Sequence, residues 1–189
     1  MDKHLKVIPE TEKYIKCDTL LLSVGLIPEN ELSKKVDVQL DPVTKGPIVD
    51  EKRQTSVPWI FASGNVLHVH DLVDNVTKES EIAGKSAAEY ISNQFKAREK
   101  RISVTHTGDI GYVVPQFIDF DDAKEKSIKL YMRVKQPDQN VSVVVKSNGS
   151  KVIANFKKDI VAPGSMLVLS VPTSLLPGNT ENIDISILK

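Results

Sequence analysis

Gly64 and Asn65 end a short apolar segment, Trp59-Ile-Phe-Ala62, with residue types that suit a nucleotide ligand. A glycine lets a ligand approach the backbone without a Cβ clash. The polar side chain after it can hydrogen-bond a sugar hydroxyl. The helix expected next offers free N–H groups and a positive dipole end to an electron-rich ligand atom. An ordinary turn is the alternative, since Gly-Asn is a common turn pair. His68-Val-His-Asp71 is the second cluster. In an extended segment His68 and His70 share a face, which permits a shared ion. No third ligand follows from the spacing, and His4 and His106 are isolated, so a polar connector outweighs a metal and no metal ligand is assigned. Cys17 is the single cysteine. That rules out an internal disulfide, a Cys-x-x-Cys pair and a cysteine-built zinc site. A packed thiol is expected there, and no catalytic residue is assigned.

The elements that must position these groups fall into two textures. Thr19-Leu-Leu-Leu-Ser-Val-Gly25 is an apolar run that suits a strand buried on both faces, broken by Gly25 and Pro28. Asp41-Pro-Val-Thr-Lys-Gly46 reads as a turn between arms at Val38/Leu40 and Ile48/Val49. Trp59 to Ala62 reads as a further short buried strand. From about Asp74 to Lys96 the spacing is helical, with Ile82, Ala83, Ala87, Ile91 and Phe95 near a 3.6-residue period. Gly84, Ala87 and Ala88 make a small-residue face, which predicts close packing of another backbone. The texture changes at Lys96–Ile102. Beyond it, period-two runs follow one another: Ile128 to Val134, Val141 to Val145, Val152 to Phe156, Leu167 to Val171 and Ile183 to Ile187. Pro137-Asp138, Asn148-Gly149, Pro163-Gly164 and Pro177-Gly178 separate them. About seven short strands so punctuated predict an antiparallel, immunoglobulin-like β-sandwich over residues 103–189. Residues 1–100 form the other expected domain.

Composition narrows the partners. Hydrophobic residues make up 40% of the 189, enough to bury a core. The formal net charge is +0, which argues against nucleic acid or an anionic membrane surface. Nothing resembles a signal peptide and no apolar run approaches membrane-spanning length, so the cytoplasm is the expected compartment.

The first hundred residues resemble the pyridine nucleotide-disulfide oxidoreductases, flavoproteins with two dinucleotide-binding domains. Thr55-Ser-Val-Pro-Trp-Ile-Phe-Ala-Ser-Gly-Asn65 is similar to that family's second FAD motif. Cys17-Asp-Thr-Leu-Leu-Leu-Ser-Val-Gly-Leu-Ile-Pro28 resembles the strand-Gly-x-x-Pro segment that returns the chain from the NAD domain to the FAD domain. Pro47-Ile-Val-Asp50 and Glu81-Ile-Ala-Gly-Lys-Ser-Ala-Ala88 resemble the strand between these motifs and the helix after them. The nearest likeness is to a bacterial subgroup associated with anaerobic glycerol-3-phosphate dehydrogenase-like proteins, whose connector Val66-Leu-His-Val-His-Asp-Leu-Val-Asp74 resembles.

The resemblance implies a mixed α+β fold: a partial, Rossmann-like FAD-binding domain followed by the sandwich. It implies that Gly64 and Asn65 meet the ribityl chain, with Asn65 where the family usually has aspartate. It also implies that Asn75, Val76 and Thr77 face the pyrimidine end of the flavin, and that Gly25 and Pro28 pass close to the cofactor. The sequence departs from the family in lacking any Gly-x-Gly-x-x-Gly and any redox-active cysteine pair. The expectation is therefore a C-terminal portion of a longer flavoenzyme. Its missing N-terminal FAD/NAD portion, or a partner subunit, completes it. Alone it is expected to bind FAD weakly or not at all and to transfer no hydride, with NAD(P)H used by the parent. The alternative is a non-enzymatic interaction module with a degenerate flavin remnant.

Overall fold

A computed structural model describes residues 6–22, 25–92, 101–119 and 127–189. Eight strands dominate its second part. They are β1 (Arg101–His106), β2 (Ile110–Val114), β3 (Phe117–Asp119), β4 (Ser127–Val134), β5 (Asp138–Ser147), β6 (Lys151–Val161), β7 (Leu167–Pro172) and β8 (Asn182–Leu188). One sheet has the order β3-β1-β8-β5-β6 and the other β2-β4-β7. Both feed one apolar core, in which Ile102, Ile110, Leu130, Met132, Val143, Val145, Leu169, Ile183 and Ile185 are all buried. The alternation explains this. On β4, Ile128, Leu130, Met132 and Val134 point inward, and on β7 Leu167, Leu169 and Val171 do the same.

The expected all-antiparallel pattern is corrected at one place. β1 pairs with β8 in parallel, Val104 beside Ile183 and His106 beside Ile185. Asn182 supports the register there, its side-chain amide reaching Ser103 Oγ at 3.0 Å and Thr105 Oγ1 at 3.1 Å.

The first part carries two helices, α1 (Glu31–Lys35) and α2 (Val73–Ile91). Apart from isolated bridges Leu40–Pro47 and Gln54–Phe61, its described residues hold no strand. The arms expected around Asp41–Gly46, and the strand expected at Trp59–Ala62, reduce to these bridges. Leu20, Leu21 and Leu22, expected in a strand buried on both faces, are 72%, 89% and 75% exposed. A strand of that kind needs a neighbour on each edge and a layer on each face. No described segment supplies them. Ser23 and Val24 of that run, and Phe95 of the predicted helix, lie outside the described residues.

The helix begins where the spacing predicts, but its inner face is Glu79, Ala83 and Ser86, while Ile91 is exposed. Gly84 is exposed, with open space where a Cβ would sit, so the close backbone neighbour predicted for it is not among the described residues.

The two parts meet on the outer face of the three-stranded sheet. Val114 packs with Val49, Ala62 and Leu67, and Tyr112 lies against them. Tyr131 points away from the core between the two sheets yet is 1% exposed, because the first part covers it. No described helix is long and apolar enough to cross a membrane.

Candidate functional site

Glu79 is the group around which this junction is built. It lies on the inner face of α2, 0% exposed. A buried carboxylate is costly unless every oxygen is hydrogen-bonded. Here Oε1 accepts from Arg53 Nε at 3.0 Å and from His68 Nε2 at 3.2 Å. Oε2 accepts from His70 Nε2 at 2.8 Å and from the Gly64 backbone N–H at 2.9 Å. Four donors fill the roughly four lone-pair sites of a carboxylate.

Burial pushes the Glu79 pKa up. The hydrogen bonds from both histidines and the charge of Arg53 outweigh it and hold the group below the ordinary carboxylate range. With Glu79 ionised, both imidazole Nε2 atoms donate to it. His68 Nδ1 is then an acceptor, with the Tyr112 hydroxyl 3.4 Å away. Burial, together with the neighbouring His70 and Arg53 charges, lowers the His68 pKa against the pull of Glu79.

Local backbone chemistry brings these groups together. Asp50 Oδ1 accepts from the N–H groups of Lys52 and Gln54, closing a tight turn. That turn puts Arg53 in the left-handed region at φ 64, a costly conformation for a side chain of this size. The buried ion pair with Glu79 offsets that cost. Gly64 also has positive φ, at 68, where glycine is unstrained. The Asn65 Oδ1 atom accepts from His70 N at 3.1 Å, folding the connector back so that His70 reaches the carboxylate.

The second part supplies aromatic walls. The Arg53 guanidinium sits 5.5 Å from the centre of the Tyr131 ring. Both histidine rings meet Tyr131 edge-on, at 5.9 and 6.2 Å, and His68 meets Tyr112 at 5.8 Å. Asp71 fastens the same connector from outside by pairing with Arg133 and accepting from Met166 N at 2.6 Å. Arg133 also donates to Val69 O at 3.1 Å.

The structure brings some of the predicted residues together and not others. Gly64 and Asn65 lie in a short 3-10 turn, Gly64–Val66, at the foot of α2. Val76 adjoins them, its Cγ1 3.2 Å from where a Gly64 Cβ would be. Asn75 is half-buried in the first turn of α2, and exposed Thr77 turns its hydroxyl back on its own helix, donating to Val73 O at 3.1 Å. Gly25 is exposed, with open space around it, and Pro28 is half-buried. Neither is joined to the turn.

A cleft of about 360 Å³ adjoins the turn. Asn30, Leu32 and Ser33 line it on one side, and Phe61, Ser63 and Val66 on the other. Asn30 holds its rim by donating to Val66 O at 2.8 Å and Lys45 O at 3.1 Å.

Reading the sequence misses Glu79 and Arg53. They lie eleven and fifteen residues from His68, on different elements, and only the His-x-His spacing signalled the cluster. The ligand atoms of His68, His70 and Glu79 lie within 4.8 Å of one another, a separation that suits a metal ion. Two features favour a hydrogen-bonded network instead. The carboxylate is already saturated, and the Arg53 charge balances it without a further cation. Among the described residues no further His, Cys, Asp or Glu joins this group.

Comparison with known proteins bears on the first part of the chain. Residues 1–87 match the family model described as pyridine nucleotide-disulphide oxidoreductase. Over 54 residues, 28% of this chain, the sequence is 46% identical to the mitochondrial dihydrolipoyl dehydrogenase of Caenorhabditis elegans. That stretch covers 11% of the worm protein. No solved structure matches the chain. Residues 1–87 are thus similar to pyridine nucleotide-disulphide oxidoreductases.

Proposed function

We propose that residues 1–100 supply the second half of an FAD site in an NAD(P)H-dependent oxidoreductase. On this reading residues 103–189 form a separate domain that braces that half. The family match over residues 1–87, which takes in the Gly64–Val66 turn and the start of α2, carries the reading. Gly64 lets the ribityl chain pass close to the backbone, and the second lone pair of Asn65 Oδ1 accepts from a ribityl hydroxyl. The first turn of α2, with Asn75, Val76 and Thr77, faces the pyrimidine end and favours negative charge on reduced flavin. FAD supplies the electron chemistry, and these residues bind and orient it.

A pyrophosphate cradle must come from elsewhere, because the sequence holds no Gly-x-Gly-x-x-Gly. The N-terminal portion of a parent protein, or a partner subunit, supplies it. Exposed Leu20, Leu21 and Leu22 and the open face at Gly84 are consistent with docking of its sheet and helix there. The subgroup associated with anaerobic glycerol-3-phosphate dehydrogenase-like proteins is the proposed branch, and the cytoplasm the proposed compartment.

The missing cradle also favours the second reading, a non-enzymatic interaction module that keeps the flavin scaffold. Fluorescence titration of the purified chain with FAD separates the two. Weak, saturable quenching that Asn65→Ala weakens by about 1–3 kcal/mol supports the flavin site. No quenching, with or without a separately supplied dinucleotide-binding half, leaves the module.

A further inference from the structure

We infer that Glu79 is the positioning residue of the Gly64–Val66 turn, and that the second part of the chain sets the shape of that turn through it. The coupling to a flavin rests on the reading above; the mechanical coupling does not. The Gly64 N–H and three side chains converge on one buried carboxylate. Those three side chains, Arg53, His68 and His70, are the ones that touch Tyr131, and His68 also touches Tyr112.

Both tyrosines stand on the outer face of the β2-β4-β7 sheet. A shift of that sheet against α2 therefore moves the donors that orient the carboxylate, and the carboxylate fixes the Gly64 amide. Removing one donor turns the carboxylate toward the others, because a buried anion keeps as many partners as it can reach. The link is reciprocal: a ligand that tightens the turn also tightens the sheet contact by the same free energy. The charged residues packed around the carboxylate are Arg53 from its tight turn and His68 and His70 from the connector, while the sheet presents Tyr112 and Tyr131, with Arg133 beside them paired to Asp71.

Backbone NMR of the flavin-free, 15N-labelled chain tests this. In the wild type the Gly64 amide proton resonates downfield, as a carboxylate-bonded N–H does, and exchanges slowly. Glu79→Gln moves it upfield. It also speeds Gly64 exchange by about ten-fold relative to Val143 in β5, a loss equal to one charge-assisted hydrogen bond. Tyr131→Leu, which leaves every direct partner of Glu79 in place, shifts Gly64 in the same direction. A Gly64 signal at the random-coil position in the wild type overturns the inference without any variant. So does Gly64 exchange that rises only in step with Val143, or a Tyr131→Leu spectrum with Gly64 unmoved. FAD titration is a separate readout: a chain that shows the Gly64 responses but never takes up flavin loses the flavin reading and keeps the coupling.

Discussion

Glu51 and Glu79 are both buried acids at the same junction, and their surroundings drive them in opposite directions. Glu79 has four donors and stays ionised. Glu51 has one strong donor, the Asp119 N–H at 2.7 Å from Oε2. Burial and then the Asp50 charge push its pKa up to about 8, against the pull of that N–H. The folded chain therefore holds a proton on Glu51 that the unfolded chain releases near pH 4. Its stabilising contribution is complete below that pH and is lost as pH rises toward 8. Glu51→Gln keeps an acceptor for Asp119 N and cannot ionise. It should exceed wild-type stability at pH 8 by about 1–3 kcal/mol and converge with it near pH 4. Urea unfolding of both proteins across that range checks this. His68 and Glu79 titrate alike in both, so the difference isolates Glu51. Parallel pH curves would mean that Glu51 is ionised in the folded chain.

Turns and helices show how much an element depends on what it packs against. The turn Asp41–Gly46 was legible, since Asp41 Oδ1 accepts from the N–H groups of Val43 and Thr44 locally. Its reason for ending in glycine was not. A Cβ on Gly46 would lie 1.7 Å from Leu67 O, because the turn presses on the connector that carries His68. Gly46→Ala should cost about 3 kcal/mol or more by forcing that backbone apart. A fall in the urea midpoint measures it, and an unchanged midpoint would show that the turn does not bear on Leu67. The α2 helix was legible by its spacing, but of its expected buried face Ala83 is buried while Ile91 is exposed. Apolar Ile82 and Ile91 looked like the core positions. Glu79 is buried instead, because its partners come from three other segments.

At the scale of the whole molecule the two parts differ in how they are stabilised. The β-rich part closes its own core between two sheets. Among its described residues the first part buries only Val38, Val49, Ala62, Leu67 and Ala83 as apolar side chains, and depends on the polar junction. We therefore expect residues 101–189 to fold alone, with a β-type circular dichroism spectrum and a cooperative thermal transition. Uncovering Val114, Tyr112 and Tyr131 would lower the midpoint relative to the intact chain. A random-coil spectrum would show that the junction is part of the core. The FAD titration belongs to this scale as well, since the proposed site needs a segment that these residues do not contain.

The sequence by itself determined the strands from β4 to β8, the start of the helical spacing and the Gly64–Asn65 turn. Those patterns record local geometry: period two, period 3.6, and residues that tolerate positive φ. It also determined the His-x-His pair as a cluster worth attention. Only the tertiary structure decided that β1 runs parallel to β8, since that pairing joins residues about eighty apart. It also decided that Leu20–Leu22 lie exposed, because burial depends on what a strand meets and not on its own composition. And it decided that His68 and His70 share Glu79 with Arg53 and Gly64. Hydrogen-bond saturation of a buried carboxylate is a property of where segments arrive, which no single stretch of sequence encodes.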